Sequence, residues 1–299
     1  MKNKIIIILG PTATGKTNLA AKIANKYNAE IISADSRQIY KKLDIGTGKD
    51  LHEYSINNKN ITYHLIDILD SNQNYSVYNF QIDFEKAYNK IIKKNKNVIV
   101  CGGTGLYIES LLLNYNLKNS PPPDMHLRNK LKKKSLDELI VDFKKINNKI
   151  IDNPKIDTKN RVIRNIEICL NKTTNKQYES SLPLNNYIVI GINPGREIVR
   201  AKITKRLKDR FNNGLLNEVK NLINDGLSYE RLYYFGLEYR LISQHINGEF
   251  NETELFEKLN SAIHRFAKKQ MTFFRRMEKR NININWIQNN NLNQIKDLL

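Results

Sequence analysis

The sequence predicts an α/β fold in which a parallel sheet carries a phosphate-binding loop and a helical domain is inserted between two parts of the core. Strand-like and helix-like patterns alternate over the first 115 residues. A glycine-rich motif of the P-loop type follows the first strand directly. Three consecutive prolines then separate this region from a Lys/Asn-rich helical stretch. Together these observations favour a P-loop NTPase-like core with a helical insertion.

The first elements follow from hydrophobic periodicity. β-branched runs predict buried strands, and apolar residues three or four apart predict helices. The expected elements are strands from Lys4 to Leu9, Glu30 to Ala34 and Val98 to Cys101, and helices from Lys16 to Tyr27 and Val77 to Lys94. Ser76 stands where the N-cap of the second helix is expected.

The second half begins with a change in character at Pro121, Pro122 and Pro123, which cannot continue a helix. Residues 124–180 read as helical without apolar strands. The core pattern returns with a strand from Tyr187 to Ile192, a helix beginning near Arg196, and a long helix from Thr253 to Lys279. Asn-rich residues 281–293 give no clear signal. We therefore expect a core formed by residues 1–118 and 186–299, with a helical insertion at 119–185.

The charge balance predicts a polyanionic partner. The chain has 49 Lys and Arg against 30 Asp and Glu, a formal net charge of +19. Such an excess favours nucleic acid, and binding that weakens steeply as salt rises is expected. An anionic membrane surface is the alternative, but no lipidation signal or long apolar run supports it. We expect no membrane partner, a cytoplasmic location and a monomer.

The two cysteines, Cys101 and Cys169, lack metal-ligand spacing. They are expected to be buried free thiols rather than a disulfide or a zinc site.

The P-loop motif is the strongest chemical signal in the chain. Residues 10–17 fit G-x-x-x-x-G-K-[ST] at the junction of a strand and a helix. The backbone N–H groups of such a loop cradle linked phosphates, Lys16 adds a positive charge, and the Thr17 hydroxyl is a ligand for Mg²⁺. The residues of this loop are Gly10, Pro11, Thr12, Ala13, Thr14, Gly15, Lys16 and Thr17.

Asp35 is the carboxylate expected to face this loop. It follows the second strand, and the carboxyl ends of parallel strands converge on the binding crevice. An alternative role is a turn cap, which is common for Asp-Ser. For Asp67 and His64 we favour structural roles. The expected strand before Gly102 and Gly103 ends without an acid, so no carboxylate follows it.

Two helices carry many cations. One of them carries Arg196, Arg200, Lys202, Lys205, Arg206 and Arg210 without forming a single stripe. Most of these side chains are expected to be solvated, and one is a candidate to reach the phosphates, which spacing alone does not identify. In the C-terminal helix, Phe266, Phe273 and Met277 are spaced as core residues. Lys268, Lys269, Arg275 and Arg276 then lie on other faces, where phosphate contact and plain solvation are about equally expected.

Five segments together resemble the tRNA dimethylallyltransferase family. They are GPTATGKT (10–17), ISADSRQIYKKLDIGTGKD (32–50), GGTGLY (102–107), RVIRNIE (161–167) and FAKKQMTFFRR (266–276). The resemblance covers almost the whole chain. It departs from the family pattern at residues 236–239 and at His264 and Arg265.

The resemblance implies transfer of a dimethylallyl group from its diphosphate to N6 of the adenosine 3′ of the anticodon in a tRNA anticodon stem-loop, with Mg²⁺ as cofactor. It implies that Asp35 is the base, that Thr104 lies beside the target nucleotide and that Arg206 binds the diphosphate. The implied tRNA-binding residues are Asp35, Ser36, Arg37, Gln38, Thr104, Lys159, Asn160, Arg161, Val162 and Ile163.

The residue chemistry agrees with this implication, because a carboxylate can take the proton of a poorly nucleophilic adenine amine while the loop stabilises a leaving diphosphate. Two alternatives stay open at this stage. One is prenylation of free adenine nucleotides, and the other is an ATP-using P-loop kinase or RNA-binding protein.

Overall fold

The computed structural model describes residues 5–115, 117, 121, 123–147, 151, 154–171, 186–289 and 291–298. It divides into two compact units, one formed by Met1–Leu113 with Leu182–Leu299 and the other by Asn114–Ser181. The junctions expected at 118/119 and 185/186 fall on or beside residues outside the described ranges, so these boundaries stay a prediction.

The first unit is built on a parallel sheet. The strands are β1 (Ile5–Leu9), β2 (Ala29–Ser33), β3 (Ser55–Ile56), β4 (Lys59–Asn60), β5 (Tyr63–His64), β6 (Asn97–Gly102), β7 (Tyr187–Ile192) and β8 (Ile284–Ile287). Six of them form the sheet in the order β5-β2-β6-β1-β7-β8, and every pairing in it is parallel. The short strands β3 and β4 form a separate antiparallel pair. The predicted α/β class is confirmed.

The helices of this unit cover the sheet and extend beyond it. They are α1 (Lys16–Lys26), α2 (Val77–Ile92), α3 (Gly105–Leu112), α7 (Arg196–Asn212), α8 (Leu215–Asn224), α9 (Tyr229–Phe235), α10 (Leu237–Ile246) and α11 (Glu252–Glu278), with 3-10 turns at Leu51–Tyr54 and Leu292–Leu298. Ser76 caps α2 through a capping box, as the sequence predicts. None of the helices in the described ranges is long and apolar enough to cross a membrane.

Alternate residues of β1 pack in two different buried clusters, one on each face of the sheet. Ile5, Ile7 and Leu9 belong to one buried cluster with residues of α2, α3 and α11. Ile6 and Ile8 belong to a second cluster with residues of α1. Side chains of a strand point alternately to opposite faces, so a strand buried on both faces reads as a continuous aliphatic run.

The second unit has its own core. Its helices are α4 (Met125–Lys132), α5 (Leu136–Ile146) and α6 (Lys159–Leu170), which agrees with the helical character predicted for residues 124–180 over the described part of that stretch. Leu139, Phe143, Val162 and Ile166 are among the buried residues of this core. Residues 172–180, the last part of the predicted helical stretch, lie outside the described residues.

The predicted elements of the first unit shift by at most two residues at their ends. The strand at Tyr187–Ile192 is confirmed to the residue, whereas α2 ends at Ile92, two residues before the predicted end. Strand β8 was not predicted, because the asparagines of residues 281–285 lower the apolar signal around Ile282 and Ile284. Cys101 and Cys169 are both buried and free, as expected.

Candidate active site

A pocket of about 450 Å³ lies in the first unit at the carboxyl ends of the neighbouring strands β1, β2 and β6. The loops that follow these strands form its floor, and residues of α7, α10 and α11 close its other sides. The residues with polar side chains or loop amides that line it include Thr12, Ala13, Thr14, Gly15, Lys16, Thr17, Asp35, Ser36, Arg37, Gln38, Gly48, Asp50, Glu53, Thr104, Arg206, Arg210, Glu238, Lys269 and Gln270.

The phosphate loop bends tightly between β1 and α1. Gly10 has φ of 150°, and a Cβ built there would lie 2.6 Å from the carbonyl oxygen of Ile192, so the position requires glycine. Ala13 and Gly15 also have positive φ, 63° and 79°. Gly15 caps α1 without a side-chain hydrogen bond, which leaves the helix N-terminus open to an anion.

Lys16 lies at the centre of this loop. Its Nζ donates a hydrogen bond of 2.7 Å to the carbonyl oxygen of Pro11. Burial lowers the pKa of Lys16 to about 8, and the positive charge of Arg206 acts in the same direction, whereas Asp35 and Glu53 oppose it. Residues 12–17 line the pocket, and Pro11 contributes the carbonyl that holds the lysine.

Asp35 faces the same pocket at the end of β2, as expected from its sequence position. Its Oδ1 accepts hydrogen bonds from the backbone N–H groups of Arg37, at 2.9 Å, and Gln38, at 3.4 Å. The turn-cap role considered for Asp35 is therefore present, and it occupies one carboxylate oxygen. Among the described residues Oδ2 has no hydrogen-bond partner, so it is the oxygen available to a substrate.

Thr104 joins the loop after β6 to the loop that carries Asp35. Its Oγ1 accepts a hydrogen bond of 3.0 Å from the backbone N–H of Ser36. Its own N–H donates to the carbonyl oxygen of Ala34 at 3.2 Å. The two loops pack so closely that a Cβ on Gly102 would overlap the backbone of Ala34. Thr104 thus forms hydrogen bonds with Ala34 and Ser36, the residues on either side of Asp35.

The remaining residues of the Asp35 loop are also held. Gln38 Nε2 donates to the carbonyl oxygen of Gly48 at 2.8 Å, which links the two ends of the segment from 35 to 50. The guanidinium of Arg37 lies 4.9 Å from the ring centre of Tyr234. Arg37 and Gln38 line the pocket, as does Ser36.

Two charged side chains, Lys49 and Glu218, hold the segment from 35 to 50 in place. Lys49 is buried and pairs with Asp67 and with Asp44, the latter at 2.6 Å, and it donates to the carbonyl oxygen of Tyr40. Glu218 accepts hydrogen bonds from the backbone N–H groups of residues 44–46. The structural role predicted for Asp67 is confirmed.

His64 has the structural role that was predicted for it. Its Nε2 lies 2.7 Å from Oε2 of Glu30, a buried carboxylate that also binds Lys94 and Lys96. His64 is not among the residues that line the pocket.

The cationic helix α7 sends two arginines into the pocket, Arg206 and Arg210. Of the other cations considered there, Arg196, Arg200, Lys202 and Lys205 are exposed outside it. Arg206 is the residue that the family resemblance selected. Arg210 was not selected from the sequence, because its position one turn further along the helix does not reveal its burial.

Gln270 of α11 bridges two loops of the site and was not assigned a role from the sequence. Its Oε1 accepts a hydrogen bond of 2.9 Å from the backbone N–H of Thr12, and its Nε2 donates to the carbonyl oxygen of Gly103 at 3.0 Å. Gln270 lies in the FAKKQMTFFRR segment (266–276), and its place in that family segment is the one feature of the sequence that points to a role in the site. Glu53, a carboxylate of the pocket whose pKa is raised by burial and by the nearby Asp50, also has no role assigned from the sequence.

The aromatic residues of α11 require a correction. Met277 is buried as predicted, but Phe266 is 44% exposed and Phe273 is half-buried, and both line the pocket. Phe273 also packs against the buried cluster on one face of the sheet, so only Phe266 departs from the predicted core role, and both side chains border the pocket. With Leu106, Phe235 and Ile263 they give the pocket an apolar wall, and exposed apolar surface of this kind is typical of a ligand site.

The segment Lys159–Ile163 lies in the second unit, at the start of α6. Lys159, Asn160 and Arg161 are exposed, whereas the side chains of Val162 and Ile163 are buried in the core of that unit. RNA contact by this segment stays a prediction.

Comparisons with known proteins agree on one family. The model of the IPP transferase family matches residues 38–277. The tRNA dimethylallyltransferase 1 of Azobacteroides pseudotrichonymphae is 45% identical, with 99% of this chain and 96% of that protein covered. The tRNA dimethylallyltransferase 2 of Phocaeicola vulgatus is 46% identical, with 96% and 92% covered. The crystal structure of the full-length tRNA isopentenylpyrophosphate transferase from Bacillus halodurans superposes with a TM-score of 0.69 at 28% identity, covering 96% of this chain and 90% of that one.

Proposed function

The chain belongs to the IPP transferase family, and from this membership we propose that it transfers a dimethylallyl group from dimethylallyl diphosphate to tRNA. The acceptor is N6 of the adenosine 3′ of the anticodon, and the products are N6-(dimethylallyl)adenosine and diphosphate. The observation that carries the proposal is a single pocket that holds the phosphate loop, the Asp35 carboxylate and an apolar wall. A diphosphate, a base and an isoprenoid chain each find a matching surface there.

The phosphate loop supports departure of the diphosphate. As the bond between the isoprenoid carbon and the phosphate oxygen breaks, its electron pair stays on the diphosphate, which gains negative charge. The amides of residues 12–17, the Lys16 ammonium and the Arg206 guanidinium face the place where this charge develops. Donors fixed before the reaction stabilise such charge without having to reorganise.

Asp35 supports formation of the new bond. An exocyclic adenine amine is a weak nucleophile, because its lone pair is delocalised into the ring. A carboxylate that accepts its proton as the C–N bond forms lowers the barrier. The Oδ2 of Asp35 is available for this, since the turn engages Oδ1.

The target base has to leave its stack in the anticodon loop to reach this pocket. Extruding a base costs a few kcal/mol. Thr104 and residues 36–38, which line the pocket beside Asp35, are the proposed contacts to the extruded nucleotide. Contacts of the cationic surfaces with the RNA backbone offset the cost of extrusion.

Mg²⁺ dependence is part of the proposal. The Thr17 hydroxyl and the Glu53 carboxylate both line the pocket, and oxygen ligands of this kind suit Mg²⁺. Over the described ranges no cluster of three or more His, Cys, Asp or Glu residues stands ready to hold a metal, which fits an ion that takes most of its ligands from phosphates and water. Bound there, Mg²⁺ would neutralise charge on the departing diphosphate.

The deciding experiment combines the purified protein, Mg²⁺, dimethylallyl diphosphate and unmodified tRNA. Nuclease digestion and mass spectrometry should then find the mass of one dimethylallyl group on the adenosine 3′ of the anticodon. Adenosine monophosphate replaces tRNA in a parallel reaction, and ATP replaces the prenyl donor in another. Modification of the free nucleotide alone, or phosphate transfer without prenyl transfer, would contradict the proposal.

A further inference from the structure

Arg37 is a half-buried arginine of the pocket whose charge no carboxylate balances. Over the described ranges its guanidinium forms no ion pair and no hydrogen bond. It lies instead over the ring of Tyr234, with Cζ 4.9 Å from the ring centre. A guanidinium that stacks on a ring keeps its N–H donors in its own plane, so they stay free for an acceptor. Arg37 therefore brings a positive charge and unused donors to the pocket.

The backbone of Arg37 is tied to the proposed base. Its N–H donates a hydrogen bond of 2.9 Å to Oδ1 of Asp35. On the other side, a Cβ built on Gly236 would lie 3.9 Å from Nε of Arg37, so the side chain runs beside the turn between α9 and α10, which also lines the pocket. A group that binds the Arg37 guanidinium is thereby placed relative to Asp35.

Tyr234 does not line the pocket itself, and its ring is held from behind. The ring packs edge-to-face on the buried ring of Tyr40, with 6.4 Å between ring centres and 84° between planes. The Tyr234 hydroxyl also donates a hydrogen bond of 3.3 Å to the carbonyl oxygen of Tyr75. Tyr40 belongs to the same segment as Asp35 and Arg37, so these contacts fix the ring relative to that segment.

A second arginine, Arg231, also lies over the Tyr234 ring, with Cζ 4.4 Å from the ring centre. Its Nε, Nη1 and Nη2 all donate hydrogen bonds to residues 71–74, the first two at 2.5 Å and 2.7 Å. Arg231 therefore has a structural role that uses its donors. Arg37 contacts the same ring but keeps its donors free, which indicates a ligand outside the protein.

We propose that Tyr234 is a positioning residue for the tRNA substrate, whose ring holds the Arg37 guanidinium where it binds a backbone phosphate beside the extruded adenosine. This inference rests on the proposed function, because it presumes that an anticodon loop reaches the pocket. A phosphate is anionic, and two of its oxygens match the parallel N–H donors of a guanidinium. An arginine that is already held on a ring also loses less rotamer freedom when the RNA binds.

Filter binding of unmodified tRNA to the full-length protein measures the effect. Tyr234→Leu should raise the Kd for tRNA about 3-fold or more, through loss of the stacking contact. Arg37→Met should raise it about 10-fold or more, because a charge-assisted hydrogen bond is lost. Tyr234→Phe keeps the ring and should restore the Kd to within about 2-fold of the parent. Parent-like binding by Tyr234→Leu would overturn the proposal.

Tyr233→Leu is the matched control, since Tyr233 is a neighbouring exposed tyrosine of α9 that does not line the pocket. Its Kd for tRNA should stay within about 2-fold of the parent, as for most surface substitutions. A loss equal to that of Tyr234→Leu would overturn the proposal, because the effect would then not depend on the ring that Arg37 contacts.

A double variant tests whether Tyr234 acts through Arg37. Arg37→Met combined with Tyr234→Leu should bind tRNA within about 2-fold of Arg37→Met alone, because the ring has no guanidinium left to position. Effects that multiply would overturn the positioning role. The slope of log Kd against log salt should fall by about 0.7 in Arg37→Met, the contribution of one single-strand phosphate. An unchanged slope would overturn the phosphate as the ligand.

Donor use separates this inference from the proposed function. The KM for dimethylallyl diphosphate at saturating tRNA should stay within about 2-fold in Tyr234→Leu, and a larger rise would overturn the inference by showing a distorted pocket. If the parent prenylates tRNA and Tyr234→Leu binds tRNA equally well, the inference alone fails. If the parent neither binds nor prenylates tRNA, the proposed function fails and the inference fails with it.

Melting temperatures check that the variants fold. Should Tyr234→Leu not fold, Arg37→Lys decides, because lysine keeps the positive charge but lacks the planar group that stacks on the ring. Arg37→Lys should bind tRNA about 3-fold or more weakly than the parent, and parent-like binding would count against the proposal.

Discussion

The backbone N–H of Ser36 donates a hydrogen bond of 3.0 Å to Oγ1 of Thr104, and this bond joins the loop that carries the proposed base to the loop after β6. Thr104→Val keeps the shape of the side chain but removes the acceptor, leaving the Ser36 N–H without it. We expect kcat to fall about 10-fold or more, since small displacements of catalytic groups are costly. Single-turnover assays with saturating tRNA and donor measure the effect.

Thr104→Ser is the matched control for this substitution. It retains the hydroxyl acceptor, so the hydrogen bond from the Ser36 N–H persists, and kcat should stay within about 3-fold of the parent. Equal activity of the valine and serine variants would show that the bond does not position Asp35.

Asp35→Asn tests the base. Asparagine keeps an oxygen for the N–H groups of Arg37 and Gln38, so the turn should persist, but its amide cannot accept the proton of the adenine amine. Turnover should fall about 100-fold to 10,000-fold, the range of general base catalysis. The Kd for tRNA, measured by filter binding, should stay within about 2-fold. Turnover close to that of the parent would remove Asp35 as the base.

Gln270 connects the phosphate loop to the loop after β6, and its two hydrogen bonds can be tested separately. Gln270→Glu keeps the acceptor for the Thr12 N–H but replaces the donor to Gly103 with a second oxygen. Gln270→Leu removes both groups. We expect pyrophosphate affinity to fall in both variants, by about 5-fold or more in the leucine variant, because two buried backbone groups then lose partners. Normal affinity in Gln270→Leu would mean that the loop holds its shape without the bridge.

The parts of the fold that the sequence predicted are those with local signals. The aliphatic runs of β1, β6 and β7 and the capped amphipathic helix α2 appear within two residues of their expected ends. The two-residue strand β5 is too short to show any period. The sequence does alternate apolar and polar residues from Asn281 to Asn285, where strand β8 begins, but asparagines are typical of loops, and pairing with strand β7 decides the structure.

The candidate site shows the same division. Residues 12–17 and Asp35 follow strands directly, so their convergence follows from parallel-sheet topology alone. Gln270 and Arg210 come from distant helices, and only the packing of α7 and α11 brings them to the pocket. Phe266 shows the opposite error, since its helical spacing is that of a core residue but its face borders the pocket.

Glu30 should control stability at acidic pH. Burial alone would raise its pKa, but hydrogen bonds from Lys96, His64 and Lys94 outweigh burial and lower the pKa to about 2. Because the folded pKa is below the unfolded value of 4.5, the stabilisation is complete above pH 4.5 and is lost as pH falls toward 2. Urea unfolding should show Glu30→Gln less stable by about 3 kcal/mol at neutral pH, with the difference shrinking below pH 4.5. Exposed Glu257→Gln is the control, and an equal loss there would contradict this role.

The pKa of Lys16 predicts how donor use depends on pH. Burial lowers this pKa from 10.5 to about 8, so in the free enzyme the ammonium loses its proton as pH rises through 8. A neutral amine does not attract the diphosphate, and kcat/KM reports the ionisations of the free enzyme and free substrate. With tRNA saturating, kcat/KM for dimethylallyl diphosphate should therefore be level from about pH 6.5 to 7.5 and fall about 10-fold per pH unit above 8. Lys16→Arg, whose guanidinium stays charged throughout this range, should show lower activity with no such fall. A fall of the same steepness in Lys16→Arg would assign the ionisation to another group.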